Sequence, residues 1–213
     1  HWWPASAEGG PFEVMVGAVL AQNTSWRNVE RAISNLKAAG VLSPAGLRTL
    51  SLAELERLLL PAGTYRVKAG RLRALLDYLL QVHGDNPAAL ARGDMETLRR
   101  ELLAVPGVGP ETADSILLYA SARPTFVVDS FTRRLLVRLG LASPVSPYEE
   151  LRSLFMDHLP PDPALFNEYH ALIVRHAKVH CRKRQPRCIG CPLLAPAPSA
   201  VDARHPCGRM CPG

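Results

Sequence analysis

Apolar residues recur along the chain at the three- and four-residue intervals that are typical of helices. Within residues 67–82, Leu72, Leu75, Leu76 and Leu79 follow this spacing and would share one face of a helix. Strict alternation of apolar and polar residues, the pattern of a half-buried strand, is almost absent. We therefore predict an all-α protein, with helices over residues 12–22, 27–38, 52–60, 67–82, 95–105, 111–120, 130–139, 148–158 and 162–180.

Polar residues mark the beginnings of several predicted helices. Ser51 precedes the helix over 52–60, and Glu54 stands three residues later, which is the spacing of a capping box. Asp94 precedes the helix over 95–105 and is a good cap on its own, although Thr97 and not an acid follows at the third position. Short turns that contain glycine or proline separate the helices.

The composition is that of a globular protein with an excess of basic residues. The 213 residues are enough for one large domain or two small ones, and 47% of them are apolar. No apolar run is long enough to predict a membrane-spanning helix. The formal net charge of +6 favours an anionic partner without saying which one.

All five cysteines lie after residue 180. An odd number of cysteines crowded into one terminal segment indicates a metal or cluster site in a reducing compartment better than it indicates a disulfide framework. The first ten residues also lack the basic and then apolar pattern of a secretory signal, and the chain does not begin with Met, so we expect a trimmed sequence. These features predict a cytoplasmic protein, associated with the nucleoid if it is bacterial.

A glycine-rich turn joins two predicted helices at residues 105–110. Gly107 and Gly109 allow left-handed backbone angles and a close approach of another backbone. The amides that open the second helix, with the helix dipole behind them, would suit a phosphate group. A plain helix–turn–helix connection with a glycine-rich cap remains the alternative.

Asp129 follows the apolar run of residues 126–128 and stands at the start of the next predicted helix. Taken alone it is an N-cap. A carboxylate in such a rigid position can also stabilise positive charge on a reacting sugar or deprotonate a water molecule. The two roles are compatible, because capping holds the carboxylate in place.

Residues 102–113, LLAVPGVGPETA, and residues 127–134, VVDSFTRR, together resemble the signature of the endonuclease III superfamily of helix-hairpin-helix DNA glycosylases. The resemblance implies an all-α fold of two lobes with a DNA-binding cleft, an iron–sulfur loop near the carboxyl terminus, and Asp129 as the catalytic aspartate. It implies a barrel domain of six helices over residues 4–123 and an iron–sulfur domain made of residues 1–3 and 124–213. The expected partner is double-stranded DNA with a damaged base or an abasic site, and the expected state is a monomer.

The chain departs from endonuclease III at the position of the lyase lysine. Bifunctional members carry a lysine two residues after the second hairpin glycine, where this chain has Glu111. Glutamate cannot form a Schiff base, so we expect a monofunctional glycosylase. Glu111 is otherwise a favourable acid in the first turn of a helix. Two alternatives stay open: a glycosylase for oxidised pyrimidines with lyase activity through a lysine such as Lys178, and a lesion-binding protein with weak catalysis.

Several segments resemble the branch of the superfamily that removes 3-methyladenine and related alkylated purines. They are residues 107–117, the Trp2-Trp3-Pro4 segment, Gln22-Asn23-Thr24 with Trp26 close behind, and His176-Ala177-Lys178 in the last helix. An aromatic pocket would attract a cationic purine and stack a flipped base. The resemblance therefore implies a base pocket drawn from Trp2, Trp3, Trp26 and Lys178. The alternatives are packing of the terminal tryptophans against the core and a phosphate contact by Lys178.

The resemblance also implies two loops that touch the duplex. Gln22 would enter the gap left by the flipped base, and Thr64 stands where the family often has a leucine wedge. A turn with polar caps is the alternative for the first loop. The expected phosphate contacts come from the second loop, the hairpin and the cysteine segment, namely Arg66, Lys68, Gly107, Val108, Gly109, Arg182, Lys183 and Arg184.

Cys181, Cys188 and Cys191 follow the last predicted helix with the spacing C-x6-C-x2-C, which resembles the start of the superfamily's iron–sulfur loop. The resemblance implies a [4Fe-4S] cluster held by four thiolates. The usual fourth position is occupied by Ala197, so we predict Cys207 as the fourth ligand, with Cys211 as the other candidate. Zinc or no metal at all are the alternatives.

Overall fold

The computed structural model describes residues 10–193, which are helical apart from turns and irregular connections, with no strand among them. The prediction of an all-α chain is confirmed for this part. The ten α-helices of residues 10–193 are α1 Gly10–Leu20, α2 Trp26–Ala38, α3 Pro44–Thr49, α4 Leu52–Leu59, α5 Tyr65–His83, α6 Met95–Ala104, α7 Pro110–Ser115, α8 Ser130–Arg138, α9 Tyr148–Met156 and α10 Pro163–Val179. None of the described helices is long and apolar enough to cross a membrane.

The chain divides into two compact units after Thr125. The first unit is His1–Thr125 and the second is Phe126–Gly213. The predicted domain boundary lies two residues earlier. The predicted place of residues 1–3 in the second domain falls outside the described residues, so the domain assignment stays a prediction.

The first unit is built around α1. Apolar residues cover all sides of this helix, and residues 12–20 are buried, as expected for a helix inside a core. Its one buried acid, Glu13, lies 2.9 Å from the Lys37 ammonium at the end of α2. In contrast, α2 buries one stripe, Val29, Ala32, Ile33 and Leu36. The core of this unit therefore forms between an apolar helix and the apolar faces of amphipathic ones.

Capping residues begin the helices of the first unit where the sequence predicts. Ser51 and Glu54 form the complete capping box of α4, and the Asp94 carboxylate accepts a hydrogen bond from the Thr97 amide at the start of α6. Among the short elements that were not predicted are α3, which Ser43 caps, and a 3-10 turn at Pro87–Ala91, which Asn86 caps. Each is too short to show a helical repeat of apolar residues.

An aromatic cluster forms the core of the second unit. The Phe126 and Phe155 rings stack with centroids 3.7 Å apart, and Phe166 of α10 packs edge-on against Phe126 at 5.7 Å. Phe126 belongs to the extended segment that leads into α8. The core thus fixes the start of α8, where Asp129 lies, against α9 and α10.

Candidate active site

The predicted hairpin joins α6 and α7 in the first unit. Val105 and Val108 are buried and anchor the turn in the core, whereas Gly107 and Gly109 are exposed. Gly107 has a φ of +84°, and a Cβ at this position would lie 2.8 Å from Cδ and Nε of Arg71. Only glycine meets both conditions without strain. At Gly107 and Gly109 the turn therefore exposes backbone without a side chain.

A buried ion pair holds the two helices of the hairpin together. The Arg99 guanidinium of α6 donates to both oxygens of Asp114 in α7, with distances of 2.9 and 3.1 Å. The Thr125 hydroxyl also donates to the Asp114 carboxylate, at 2.8 Å. Bidentate geometry and a third donor satisfy this buried carboxylate. Sequence reasoning missed this pair, because a separation of fifteen residues carries no spacing signal.

Gln22 lies against the hairpin. Its Nε2 donates to the Gly107 carbonyl at 3.0 Å and to the Thr112 hydroxyl at 2.8 Å, and its Oε1 accepts from Arg71. Both ends of the side-chain amide are thus bonded. The predicted insertion of Gln22 into a duplex remains untested, and it would require that these three bonds be exchanged for others.

The loop around Thr64 differs from the prediction at one residue. Thr64 is exposed, and Arg66 has a 77% exposed side chain whose Nε lies 3.7 Å from Glu56. Lys68, however, is only 1% exposed. Its ammonium donates to the Leu20 carbonyl at 2.8 Å and to the Ala62 carbonyl at 2.6 Å. The expected phosphate contact of Lys68 is therefore wrong, because its ammonium is buried and bonded to the last carbonyls of two helical segments.

Burial lowers the pKa of the Lys68 ammonium, and the charge of Arg71 lowers it further. The two carbonyls that Lys68 binds precede the Gln22 turn and the Thr64 loop, respectively. One buried ammonium thus ties together the starts of both predicted DNA-contacting loops.

Asp129 begins α8 in the second unit. Its Oδ1 accepts a hydrogen bond of 2.8 Å from the Thr132 amide, which confirms the predicted N-cap. Its Oδ2 lies 3.6 Å from Nε2 of His170, and the Asp129 side chain keeps 15% of its surface exposed. Burial works against the ionised form, but the contact with His170 and the Thr132 amide outweigh it and hold the pKa of Asp129 below its usual value. The carboxylate is therefore ionised at neutral pH and partly open to solvent.

Glu111 is exposed in the first turn of α7. A negative charge is favourable near the amino-terminal end of a helix dipole, which agrees with the simpler role expected for Glu111 as a first-turn acid.

The base-pocket candidates lie in different places. Lys178 of α10 has its ammonium 5.9 Å from the ring centre of Phe131, two residues after Asp129. Trp26 packs partly against the core of the first unit, and its indole N–H donates to Glu30 at 2.8 Å. Trp2 and Trp3 lie outside the described residues. Of the four, the structure brings Lys178 toward the Asp129 segment within one unit.

The cysteine segment follows α10 directly. Cys181, Cys188 and Cys191 line one small cavity together with His176 and Arg138. Arg138 donates to the Cys181 sulfur at 3.3 Å, and His176 Nε2 lies 3.6 Å from the Cys191 sulfur. Over residues 10–193, no three His, Cys, Asp or Glu side chains are grouped so as to hold a single metal ion. Cys207 lies outside the described residues.

The basic residues of the cysteine segment have a fixed backbone and mostly exposed side chains. Arg138 of α8 also donates to the carbonyls of Arg182 and Lys183, at 2.6 and 3.3 Å, and so fixes the backbone of the segment. The side chains of Lys183 and Arg184 are exposed, and Arg182 is half-buried. The predicted phosphate contacts are thus sterically open, and they stay predictions.

Sequence reasoning missed His170 altogether. It lies on the buried stripe of α10 with Phe166, Ile173 and Val174. The sequence did contain one sign of it, a histidine at a helical position whose neighbours on the same face are apolar. Its meaning depends on Asp129, which is forty-one residues away in the chain.

Comparison with known proteins places these features in one family. Residues 16–161 match the family described as HhH-GPD superfamily base excision DNA repair protein, and this range contains both the hairpin and Asp129. A protein of Methanocaldococcus jannaschii, provisionally named a DNA repair glycosylase, is 46% identical over 91% of this chain and 86% of its own length.

Solved structures agree with this match. An endonuclease III trapped as a covalent intermediate with DNA has a TM-score of 0.74 at 25% identity, covering 86% of this chain and 81% of its own. The 3-methyladenine DNA glycosylase MagIII of H. pylori, bound to 1,N6-ethenoadenine, has a TM-score of 0.69 at 28% identity, covering 83% and 87%. The chain belongs to the HhH-GPD superfamily of base excision DNA repair proteins.

Proposed function

We propose that this protein is a monofunctional DNA N-glycosylase that flips out an alkylated purine and hydrolyses its bond to the sugar. The observation that carries the proposal is the Asp129 carboxylate, which is ionised, partly exposed and held at the start of α8. Membership of a base excision repair family supports the same reaction class.

The proposed chemistry uses Asp129 on the sugar side of the reaction. As the bond from C1′ to the base nitrogen breaks, its electron pair leaves with the base and positive charge develops on the sugar. The carboxylate stabilises that charge. A water molecule then forms the new C1′–O bond and gives its proton to Asp129. The products are a free base and an abasic site.

Glu111 supports the monofunctional part of the proposal. A lyase step needs an amine that attacks C1′ and forms a Schiff base, and a carboxylate has no such reactivity. The chain carries its acid at the position where bifunctional relatives carry that lysine. Strand cleavage is therefore absent or weak.

Alkylated purines are the substrate class that fits best. Many are cationic and already have a weakened glycosidic bond, so the enzyme needs to bind and orient more than to protonate the base. Similarity to MagIII, a 3-methyladenine glycosylase that binds an etheno-adenine, supports this choice. Trp2, Trp3, Trp26 and Lys178 remain the proposed pocket residues.

The proposed DNA contacts are the exposed hairpin backbone at Gly107 and Gly109, with Val108 as its buried anchor. Arg66, Arg182, Lys183 and Arg184 would add phosphate contacts. Gln22 and Thr64 would enter the base stack. Lys68 is not part of this set. We further propose that the protein acts as a cytoplasmic monomer.

We propose a [4Fe-4S] cluster as the cofactor of the cysteine segment. Three thiols line one cavity, and thiolates are the usual ligands of such a cluster. Cys181, Cys188 and Cys191 would hold it together with Cys207. These thiolates would anchor the cluster to the segment that carries the basic residues, whose backbone Arg138 also holds.

The test is base release from duplexes that each contain one defined lesion, followed by alkali. We expect release from N-alkylated or etheno purines and strand breaks only after alkali. Asp129→Asn should lower the rate by roughly 100-fold or more, while Asp162→Asn, which changes another N-cap aspartate in the same unit, should leave it unchanged. Strand breaks before alkali, or full activity of Asp129→Asn, would contradict the proposal.

One observation favours a second function, a glycosylase with lyase activity for oxidised pyrimidines. The Lys178 ammonium lies near Phe131, close in the chain to Asp129, and supplies an amine that position 111 lacks. Borohydride trapping of a covalent DNA adduct in the native protein, lost in Lys178→Met, would establish this alternative.

A further inference from the structure

His170 is an unusual occupant of the buried face of α10. It is 4% exposed, and its neighbours on that face are the apolar side chains of Phe166, Ile173 and Val174. The Phe126 ring meets it edge-on, with centroids 6.3 Å apart. A polar ring at such a place is costly unless a polar partner compensates, and a phenylalanine or leucine would fill the same space without that cost.

The polar group that His170 faces is Asp129. Its Nε2 lies 3.6 Å from Oδ2 of that carboxylate, which is an ion-pair distance and longer than a hydrogen bond. The other oxygen, Oδ1, is held by the Thr132 amide at 2.8 Å. The two oxygens thus have two different neighbours, one from the backbone of α8 and one from the side chain of α10. The Thr132 amide fixes Oδ1, and the contact with His170 adds a second constraint, on Oδ2.

We propose that His170 is a positioning residue for base excision, which holds Oδ2 of Asp129 and thereby fixes the direction in which the carboxylate faces the sugar. The inference rests on the catalytic role proposed above for Asp129. His170 itself touches neither sugar nor base. Its contact with Asp129 acts against burial, so the carboxylate remains ionised although most of its surface is covered.

A purely structural histidine would behave differently. Its loss would lower the free energy of unfolding and leave the rate of the folded enzyme unchanged. A positioning histidine controls the chemical step, since a misplacement of about 1 Å costs roughly 100-fold in rate. Lesion binding depends on many other contacts and should change little.

The experiment compares three substitutions at this position. His170→Phe keeps a ring without polar nitrogens, His170→Met is an adaptable apolar replacement, and His170→Gln keeps a polar N–H group. His158→Phe is the control, because His158 is an exposed histidine of the same unit. Thermal melting identifies the variants that fold, and either apolar variant suffices. Single-turnover rates of base release are measured with enzyme in excess, and lesion-duplex affinity is measured separately.

We expect the apolar variants to lose roughly 10- to 100-fold in single-turnover rate with lesion affinity within about twofold of the native value. His170→Gln should recover part of the rate. In an Asp129→Asn background, His170→Phe or His170→Met should cause no further loss, because the two residues act as one unit. Unchanged rates in the folded apolar variants, or full additivity with Asp129→Asn, would overturn the inference.

A second readout needs no activity. Carbon-13 NMR of the Asp129 carboxyl should show that the pKa of Asp129 rises in His170→Phe or His170→Met and stays in place in His158→Phe. If the native protein released no base from any lesion while this titration moved, the proposed function would fail and the contact would stand. If the native protein were active while neither titration nor rate moved, the positioning role alone would be wrong.

Discussion

Gly107 and Gly109 belong to the same turn and face different physical constraints. Gly107 combines a left-handed backbone with the Arg71 side chain where a Cβ would stand, whereas Gly109 has a negative φ and nothing within 4 Å of the corresponding point. We predict that Gly107→Ala lowers the free energy of unfolding by about 1–3 kcal/mol through backbone strain and displacement of Arg71. Urea denaturation measures the change.

Gly109→Ala is the matched control and should change the free energy of unfolding by less than about 1 kcal/mol. If Gly109 lies against a phosphate, the same substitution should still weaken DNA binding. Equal destabilisation by both substitutions would contradict the role assigned to Gly107.

Lys68 illustrates what the sequence could not predict for a single residue. A lysine beside a predicted DNA loop indicates a phosphate contact, and only the three-dimensional path of α1 and α5 shows that its ammonium reaches two backbone carbonyls instead. Asp129 was predictable, because an N-cap depends on its own helix. Its partner His170 was not, since contacts between distant elements leave no local pattern.

At the scale of the element, the buried pair of Arg99 and Asp114 stabilises the packing of α6 against α7. We predict that Asp114→Ala lowers the free energy of unfolding by about 3–5 kcal/mol, because it leaves the Arg99 guanidinium buried without its carboxylate. Equilibrium denaturation measures this loss in the free energy of unfolding if the variant folds. A variant that no longer folds at 37 °C would show a loss at least as large.

The pair of Glu56 and Arg66 provides the control for that prediction. Arg66 is 77% exposed and 3.7 Å from Glu56, and exposed pairs contribute little. Glu56→Ala should therefore change the free energy of unfolding by less than about 1 kcal/mol. Similar losses in the free energy of unfolding for Asp114→Ala and Glu56→Ala would show that burial does not decide how much the Arg99–Asp114 pair contributes.

Helices themselves followed from the sequence wherever they were long. The apolar repeat and the caps at Ser51 and Asp94 predicted α4 and α6 to within a residue or two. Two elements that the sequence did not predict, α3 and the turn at Pro87–Ala91, have six and five residues, which is less than two helical turns. Such elements form because proline, a cap and the neighbouring core fix them, and only the first two are visible in the sequence.

At the scale of the whole molecule, the net charge of +6 is uneven: residues 1–125 carry a formal charge of +1 and residues 126–213 carry +5. Several cations are already engaged inside the protein, including Lys68, Arg99 and Arg138. Formal charge therefore overstates the charge available to a duplex. The exposed cations of the cysteine segment are better candidates than the average basic residue, since Arg138 fixes the backbone that carries them.

The salt dependence of binding measures how many of these cations meet phosphates. Each phosphate contact contributes about 0.9 to the slope of log affinity against log salt. We predict that changing Arg182, Lys183 and Arg184 together to glutamine makes this slope shallower by about 2 to 3, whereas Arg92→Gln, an exposed cation of the first unit far from every predicted DNA-contacting loop in sequence, leaves it unchanged. The measurement is lesion-duplex affinity at several salt concentrations. An unaltered slope in the triple variant would show that the cysteine segment does not bind the DNA backbone, whatever holds it in place.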